Sequence, residues 1–469
     1  MISPNLNERP VVQDVSPVLQ VAQRITHEAD RRNWGAIRES FAPRVVLDYG
    51  SPELLTPEEI VARWKPLLSE FDQTEHSVLI DGVRKEQEAT RVSATFRASH
   101  RMDRVAGGDE WILSGRYDYE LMQLGGSWKV TRMRMIPGES TGNASLLDEA
   151  RARAGLPRPA ESPYTVEHVN FGSHGDELTG LLYRPRAAAP DASLPVVVVT
   201  GSWTTVKEQM PAVYAERLAA AGYAALTFDF RGYGESEGEP RHFESPKRKV
   251  EDIRSAVSFL ASGRAAVDAG RIGLLGVCAS AGYVAEEATS DERVQSVALV
   301  APWLHDAELA ESVYGGRDVY GGKGVAALTT VGRRAAERYE REGILDTVPA
   351  ASTTDVRAAM YWPDPNFLDY YLNPRRGGIP QWGNTYAVLS WPEWLGYNAL
   401  ASAPRLRKRT LIVHSEQGAI PDGVRRYAAA MPVPPVVQWM PGTQFHFYDD
   451  PETVDAAVAE VVAHFGRTL

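Results

Sequence analysis

Cysteine occurs once in the 469 residues, at position 278. A single thiol excludes an intrachain disulfide framework and a zinc site built on several thiolates. No His or Cys pairs stand at metal-ligand spacing, so no metal and no cofactor is expected. Basic residues are in deficit, 50 Lys and Arg against 61 Asp and Glu, a formal charge of -11. Without a basic footprint, nucleic acid is excluded as a main partner. No run of about 18 apolar residues occurs, and no basic stretch leads into an apolar one near Met1, so the expectation is a cytoplasmic protein without membrane contact. Gly315-Gly316 and Gly321-Gly322 lack the strand-to-helix setting of a phosphate loop. What is present, 43% hydrophobic and 9% aromatic residues, is ample for two or three packed domains.

The lone cysteine stands in Arg271-Ile-Gly-Leu-Leu-Gly276-Val-Cys278-Ala-Ser280-Ala-Gly282, an apolar strand running into small residues. This spacing predicts a nucleophile elbow. The sharp strand-to-helix turn requires small residues two before and two after its tip, and Gly276 and Ser280 meet that demand. Cys278 then sits at a helix N-terminus, where free amides and the helix dipole favour a thiolate. The plainer reading is a small buried thiol filling a gap in the core. A frame centred on Ser280 is the rival and places Cys278 where Gly276 fits better.

Breaker residues between 138 and 164, including Pro157, Pro159 and Pro163, predict a strap between two bodies. The expected layout is a tail over 1–15, a first domain over 16–138, a linker over 139–164 and a second domain over 165–469, with a cap over about 303–404. In the first body, Ser16-Pro17 reads as a helix start followed by Val18, Ala22, Ile25 and Ala29 at helical spacing. Val92, Ala94, Phe96, Ala98 and His100 alternate with polar residues, and Trp111, Leu113, Tyr117, Tyr119 and Leu121 share one strand phase.

Helices first, a short strand at 45–49, a helix from Pro57 and four long antiparallel strands: this order resembles the NTF2-like, or SnoaL-like, α+β cone family over residues 16–138. The resemblance implies a sheet curled around a pocket in which Asp, His or Tyr drives isomerisation, cyclisation or dehydration. Asp48, Tyr49, His76 and His100 have the strand phase to face inward. The alternatives are a turn cap for Asp48 and a hydrogen-bonded core histidine for His76.

The second body alternates strand and helix: Val196–Thr200, a helix over 212–221, Ala224–Phe228, a helix over 250–260, the strand entering Cys278, Val297–Val300, Thr410–His414 and a last helix over 454–465. This is a doubly wound α/β plan with a mostly parallel sheet, whose sites lie at the carboxyl ends of the strands. An elbow fold orders nucleophile, acid and histidine along the chain. Glu416 follows a late strand, with Asp422 as fallback. Of the histidines beyond them, His464 belongs to the terminal helix pattern, which leaves His446 as the base. The oxyanion donors are the amide of Ala279 and one from Gly201-Ser202-Trp203, unless that segment is a plain strand-end turn.

With Gly201-Ser-Trp-Thr-Thr-Val-Lys207-Glu-Gln209, Phe228-Asp229-Phe-Arg231-Gly232-Tyr-Gly234-Glu-Ser236 and the cysteine elbow, residues 165–469 resemble the α/β-hydrolase superfamily in its dienelactone-hydrolase-like, polyketide-transferase-like branch. The resemblance implies a cysteine that takes an acyl group as a thioester and passes it to water or another acceptor. In one respect the chain departs from the branch. Aligning Tyr448-Asp449 with the family pattern puts Gln444 in the place of the histidine and His446 in that of a later aspartate. Either His446 reaches the thiolate from a shifted position or the triad is degenerate.

The long insertion between Val300 and Thr410 predicts a helical cap, rich in aromatics from Tyr361 and Trp362 to Trp391 and Trp394. It roofs a pocket for a bulky apolar acyl group or serves as the core of the cap itself. The leading expectation is a thioester hydrolase or acyltransferase of secondary metabolism, with a polyketide-like small-molecule substrate delivered on an acyl carrier. The alternative is an isomerase, cyclase or dehydratase in the cone, with the hydrolase body as a binding platform. The cone is also a candidate for pairing two copies.

Overall fold

The computed structural model describes residues 16–49, 52–85, 89–105, 107–156, 162–189, 192–263, 266–374, 376–379 and 381–469. The expected tail over 1–15, and Pro157 and Pro159 of the expected strap, lie outside the described residues. The chain divides into two compact units, residues 1–160 and 161–469.

The first unit runs α1 (Ser16–Asp30), α2 (Trp34–Ser40), β1 (Phe41–Asp48), β2 (Pro52–Leu55), α3 (Pro57–Leu68), β3 (Gln73–Lys85), β4 (Thr90–Arg101), β5 (Glu110–Leu124), β6 (Ser127–Gly142) and α4 (Ser145–Arg153). Its six-stranded sheet has the order β2-β1-β6-β5-β4-β3. Only the β1–β6 pair is parallel. The alternation in β4 buries Val92, Ala94, Phe96, Ala98 and His100, and Val18, Ala22, Ile25 and Ala29 of α1 are buried too. A capping box starts α3: Thr56 Oγ1 accepts the Glu59 amide at 3.2 Å, and Glu59 Oε2 accepts the Thr56 amide at 2.8 Å, a device worth about 1 kcal/mol. Residues 139–156, expected as linker, extend β6 and form α4. Leu146 and Ala150, four apart on one helix face, bury against Phe71, Met102 and Trp111.

The second unit begins with β7 (Tyr164–Ser173), β8 (Asp176–Pro185), β9 (Leu194–Thr200), α5 (Met210–Ala220), β10 (Ala224–Phe228), α6 (Pro246–Ala261), β11 (Val267–Val277), α7 (Ser280–Ala288) and β12 (Val294–Val300). Its eight-stranded sheet has the order Val436–Trp439, Arg409–His414, β12, β11, β9, β10, β8, β7. The β7–β8 and β8–β10 pairs are antiparallel, and all others are parallel. Val196 to Val199 are fully buried, as befits a strand covered on both faces. Between β12 and the strand Arg409–His414 lies the cap, with helices Ala307–Tyr314, Gly324–Glu342, Asp369–Leu372 and Trp391–Gly396. Its aromatics go largely into a shared core, where Trp203 of the sheet edge stacks on Trp394 at 4.6 Å and meets Tyr386 at 5.4 Å. None of the described helices is long and apolar enough to cross a membrane.

Two buried acids tie the loops at the carboxyl edge. Glu244 Oε2 accepts the Thr204 amide at 2.8 Å, the Lys249 ammonium at 2.7 Å and the Tyr233 hydroxyl at 3.1 Å, while Oε1 accepts the Tyr283 hydroxyl at 2.9 Å. Asp229 accepts the Lys207 amide at 2.8 Å and its ammonium at 2.7 Å. Burial opposes the charge on Lys207, but Asp229, Glu208 and Glu235 more than offset it and raise its pKa. A buried charge is tolerable only when saturated with partners in this way.

Burial lowers His414 and His464 to about 4. A histidine held below its unfolded value near 6.5 stabilises the fold above that pH, and the contribution is lost as pH falls toward 4. His414 packs against Trp439, with ring centroids 5.6 Å apart. We expect the denaturant midpoint of the protein to drop between pH 6.5 and 4, and His414→Phe to remove on the order of 2–3 kcal/mol of that drop. An unchanged acid slope in the variant contradicts the assignment.

Candidate active site

The elbow forms as its spacing requires. Cys278 follows β11 with φ of +58°, a left-handed conformation that is strained for a residue with a side chain. A Cβ at position 276 would lie 2.6 Å from the Ser280 carbonyl oxygen and 2.7 Å from the Ala281 nitrogen, so glycine is obligatory there. Three backbone bonds hold the turn: Cys278 N–H to Val300 O at 3.0 Å, and Trp303 and Ala281 N–H to Cys278 O at 2.9 and 3.1 Å.

The groups around the sulfur are hydrogen-bond donors. Ser202 Oγ donates to Sγ at 3.3 Å, and the Tyr371 hydroxyl of the cap donates to Ser202 Oγ at 3.0 Å. The Tyr448 hydroxyl, the Ala279 amide and the Gln444 side chain lie near enough to the thiol to act on its charge. Burial raises the thiol pKa, and these donors offset part of the rise. Burial and the neighbouring Cys278 raise both phenols, Tyr371 and Tyr448, which therefore remain protonated. Among the described residues, no imidazole or carboxylate is hydrogen-bonded to the sulfur.

His446 does not reach the thiol. It begins the short helix His446–Asp449 and is exposed, its Nδ1 accepting from the Thr443 amide at 3.3 Å. The reason is helical phase. Positions 444 and 448 are four apart and share the inward face, with Gln444 Nε2 3.4 Å from the Tyr448 hydroxyl, whereas position 446 is turned about 200° away. Gln444 is anchored in the place expected of the base. Its Nε2 donates to Ala301 O at 2.7 Å, and its Oε1 accepts the Ala419 amide at 2.9 Å.

Glu416 and Asp422 point to solvent instead of toward a base. Both pair with Arg425, at 2.5 and 2.8 Å, with side chains 62% and 76% exposed. The neighbouring Ser415 is buried, so the turn after the strand sends residue 416 outward. Of the expected oxyanion loop, Ser202 contacts the sulfur through its hydroxyl, and its amide points to Met210 Sδ at 3.5 Å. The ring of Trp203 stacks in the aromatic core. His305, a buried imidazole unmarked by any sequence motif, has both nitrogens occupied: Trp303 Nε1 donates to Nδ1 at 3.0 Å, and Nε2 meets Trp394 O at 2.9 Å.

The cap segment above the elbow is latched to the body. Arg376 grips Asp449 through two bonds of 2.8 and 2.5 Å. Gln209 donates to Gly377 O at 2.6 Å, and Trp382 Nε1 donates to Thr204 O at 2.9 Å.

In the first unit, a cavity of about 360 Å³ is lined by Tyr49, His76 and His100 among mostly apolar residues, including Trp64, Phe96 and Met133. His76 Nδ1 is 2.7 Å from Asp30 Oδ1, and Asp30 Oδ2 accepts the His76 amide at 2.8 Å. Asp30 has no sequence signature, because 46 residues separate it from His76 and only the packing of α1 on β3 joins them. Burial opposes the Asp30 carboxylate, but the bonds from His76 prevail and lower its pKa. His100 stands edge-on to His76 at 5.7 Å between Phe71 and Trp111, and burial holds it neutral, near 4. Asp48 is buried but pairs with Arg134 at 3.5 Å and lies outside the cavity lining.

Fold and site together define a SnoaL-like unit followed by an α/β-hydrolase unit with a cysteine at its elbow. Comparison with known proteins agrees. Residues 10–134 match the SnoaL-like domain family, and residues 174–359 match the X-Pro dipeptidyl-peptidase (S15) family. The chain is 37% identical over 125 residues to thiohydrolase aneE of Aspergillus aculeatus, covering 27% of this chain and 39% of the relative. It is 34% identical over 137 residues to polyketide transferase claH of Penicillium crustosum, covering 29% and 44%. The crystal structure of hypothetical protein PA2218 of Pseudomonas aeruginosa superposes with a TM-score of 0.57 at 23% identity, covering 66% of this chain and 96% of that one. The chain thus spans less than half the length of the two curated relatives, and the structural likeness concerns the fold.

Because the thiol is buried and its pKa raised, its alkylation by a small reagent should keep rising above pH 9. Ser202→Ala, which removes one donor, should slow labelling several-fold at pH 8. Faster labelling of the variant at pH 8 would show that Ser202 does not stabilise the thiolate.

Proposed function

We propose that the second unit is an acyl-processing enzyme, a thioester hydrolase or acyltransferase, that carries its acyl group as a thioester on Cys278. The observation that carries this reading is the strained elbow presenting Sγ to the Ser202 hydroxyl at 3.3 Å, with the donors Ala279, Tyr448 and Gln444 close by. Such donors stabilise the thiolate and the oxyanion that develops when it adds to a carbonyl. The matches to a thiohydrolase and a polyketide transferase support a bulky, apolar, polyketide-like acyl group delivered as a thioester, in secondary metabolism. Cys278→Ala should abolish both covalent labelling by an acyl thioester and its turnover, measured by intact mass and thiol release. Full turnover in that variant would falsify the mechanism.

A second reading rests on its own observation, the Asp30–His76 pair at the wall of the cavity in the first unit. With Nδ1–H donated to Asp30, the other ring nitrogen is left as an acceptor, the arrangement of an oriented general base. An apolar wall with a neutral His100 suits an uncharged substrate undergoing isomerisation, cyclisation or dehydration. Under this reading Asp30→Asn lowers the rate of solvent-deuterium incorporation into product by about 10²-fold or more, while Cys278→Ala leaves it intact. Equal incorporation in wild type and Asp30→Asn rules the reading out.

A further inference from the structure

We propose that the acyl group on Cys278 is passed to a thiol and not to water or an alcohol, so that the second unit exchanges one thioester for another. The inference rests on the reading of Cys278 as nucleophile given above and asks what the sulfur's surroundings allow next. Sγ receives a hydrogen bond from the Ser202 hydroxyl, and the other groups that act on the thiol, Tyr448, Gln444 and the Ala279 N–H, include no imidazole and no carboxylate. The place expected of the base holds Gln444, fixed by Ala301 and Ala419 and unable to accept a proton at its nitrogen. His446 faces solvent, and His305 has both nitrogens engaged.

Thiol–thioester exchange balances without a base. In the first half, Sγ bonds to the carbonyl carbon, the donor's C–S bond breaks with its electron pair on the departing sulfur, and the proton lost by Cys278 ends on that sulfur. The hydroxyl of Ser202, 3.3 Å from Sγ, is placed to relay it. In the second half, the incoming sulfur bonds to the carbonyl carbon, the Sγ–C bond breaks, and the acceptor's proton returns to Sγ. The proton that Cys278 gives up in the first half is restored in the second, so the full cycle leaves the protein's protonation unchanged. A thiol also arrives partly ionised at neutral pH, with a pKa of about 8.5. Water, with a pKa near 15.7, needs its proton removed as it attacks, and a positioned base contributes roughly 10²–10⁴-fold to such a step. An alcohol faces the same requirement.

The test uses the full-length protein. It is incubated with a panel of hydrophobic acyl N-acetylcysteamine thioesters, desalted and followed by intact mass while chased with buffer, ethanol, glycine or N-acetylcysteamine. The expected result is an adduct on wild type, absent from Cys278→Ala, that persists in buffer, ethanol and glycine and is discharged by the thiol as a new thioester. Gln444→His, which returns an imidazole to that place, should shorten the adduct's lifetime in buffer about tenfold or more. Rapid release of free acid from wild type in buffer, at a rate the thiol does not increase, overturns thiol transfer but leaves Cys278 as nucleophile. Discharge by ethanol or glycine as fast as by the thiol does the same. Failure of every thioester to form an adduct, on a Cys278 that iodoacetamide still alkylates, overturns the nucleophile reading and this inference together.

Discussion

The left-handed backbone at Cys278 is the constraint on which the second unit's site depends. A side chain held at φ +58° costs on the order of 1–3 kcal/mol, and the cost is borne by surroundings with no freedom to relax. The carbonyl of Val300 receives the Cys278 amide from the neighbouring strand, while Trp303 and Ala281 share its carbonyl. Gly276 lets the following helix approach so closely that any Cβ would collide with it. The sulfur therefore leaves the sheet within reach of the Ser202 hydroxyl.

The loops that meet it there are held by charge in place of regular structure. Glu244 gathers an amide, an ammonium and two phenols, and so ties the segment after β9 to α6 and α7. Asp229 does the same for Lys207, joining the loop after β9 to the one after β10. Each carboxylate is fully buried, which is bearable because its oxygens are saturated. The cap closes the arrangement: Tyr371 reaches Ser202, and Arg376 clamps Asp449 on the helix that carries Tyr448.

Much of the fold was legible because its signals are local. The period-two burial of β4, the small residues framing Cys278 and the apolar run of β9 each depend on near neighbours along the chain. The helix Ser145–Arg153 was hidden among breaker residues, since its two apolar contacts with Phe71 and Trp111 are tertiary. The elbow turn at Cys278 was legible from residue size, whereas the groups that surround its sulfur were not. Aligning Tyr448-Asp449 raised Gln444 as a replacement for histidine, but choosing between 444 and 446 required the phase of a four-residue helix. Glu416 followed the right strand and faced the wrong way.

The amino-acid sequence alone determined the order of two unlike bodies, the parallel core of the second and the turn on which the thiol is mounted, because these follow from residue size and periodicity over short spans. Tertiary structure decided what surrounds that thiol and what His76 faces. Ser202, the cap residue Tyr371 that bonds to it, and the Gln444–Tyr448 turn gather around one sulfur from three separate segments, and Asp30 meets His76 across 46 residues. Such meetings are set by the packing of distant elements, which no spacing along the chain encodes.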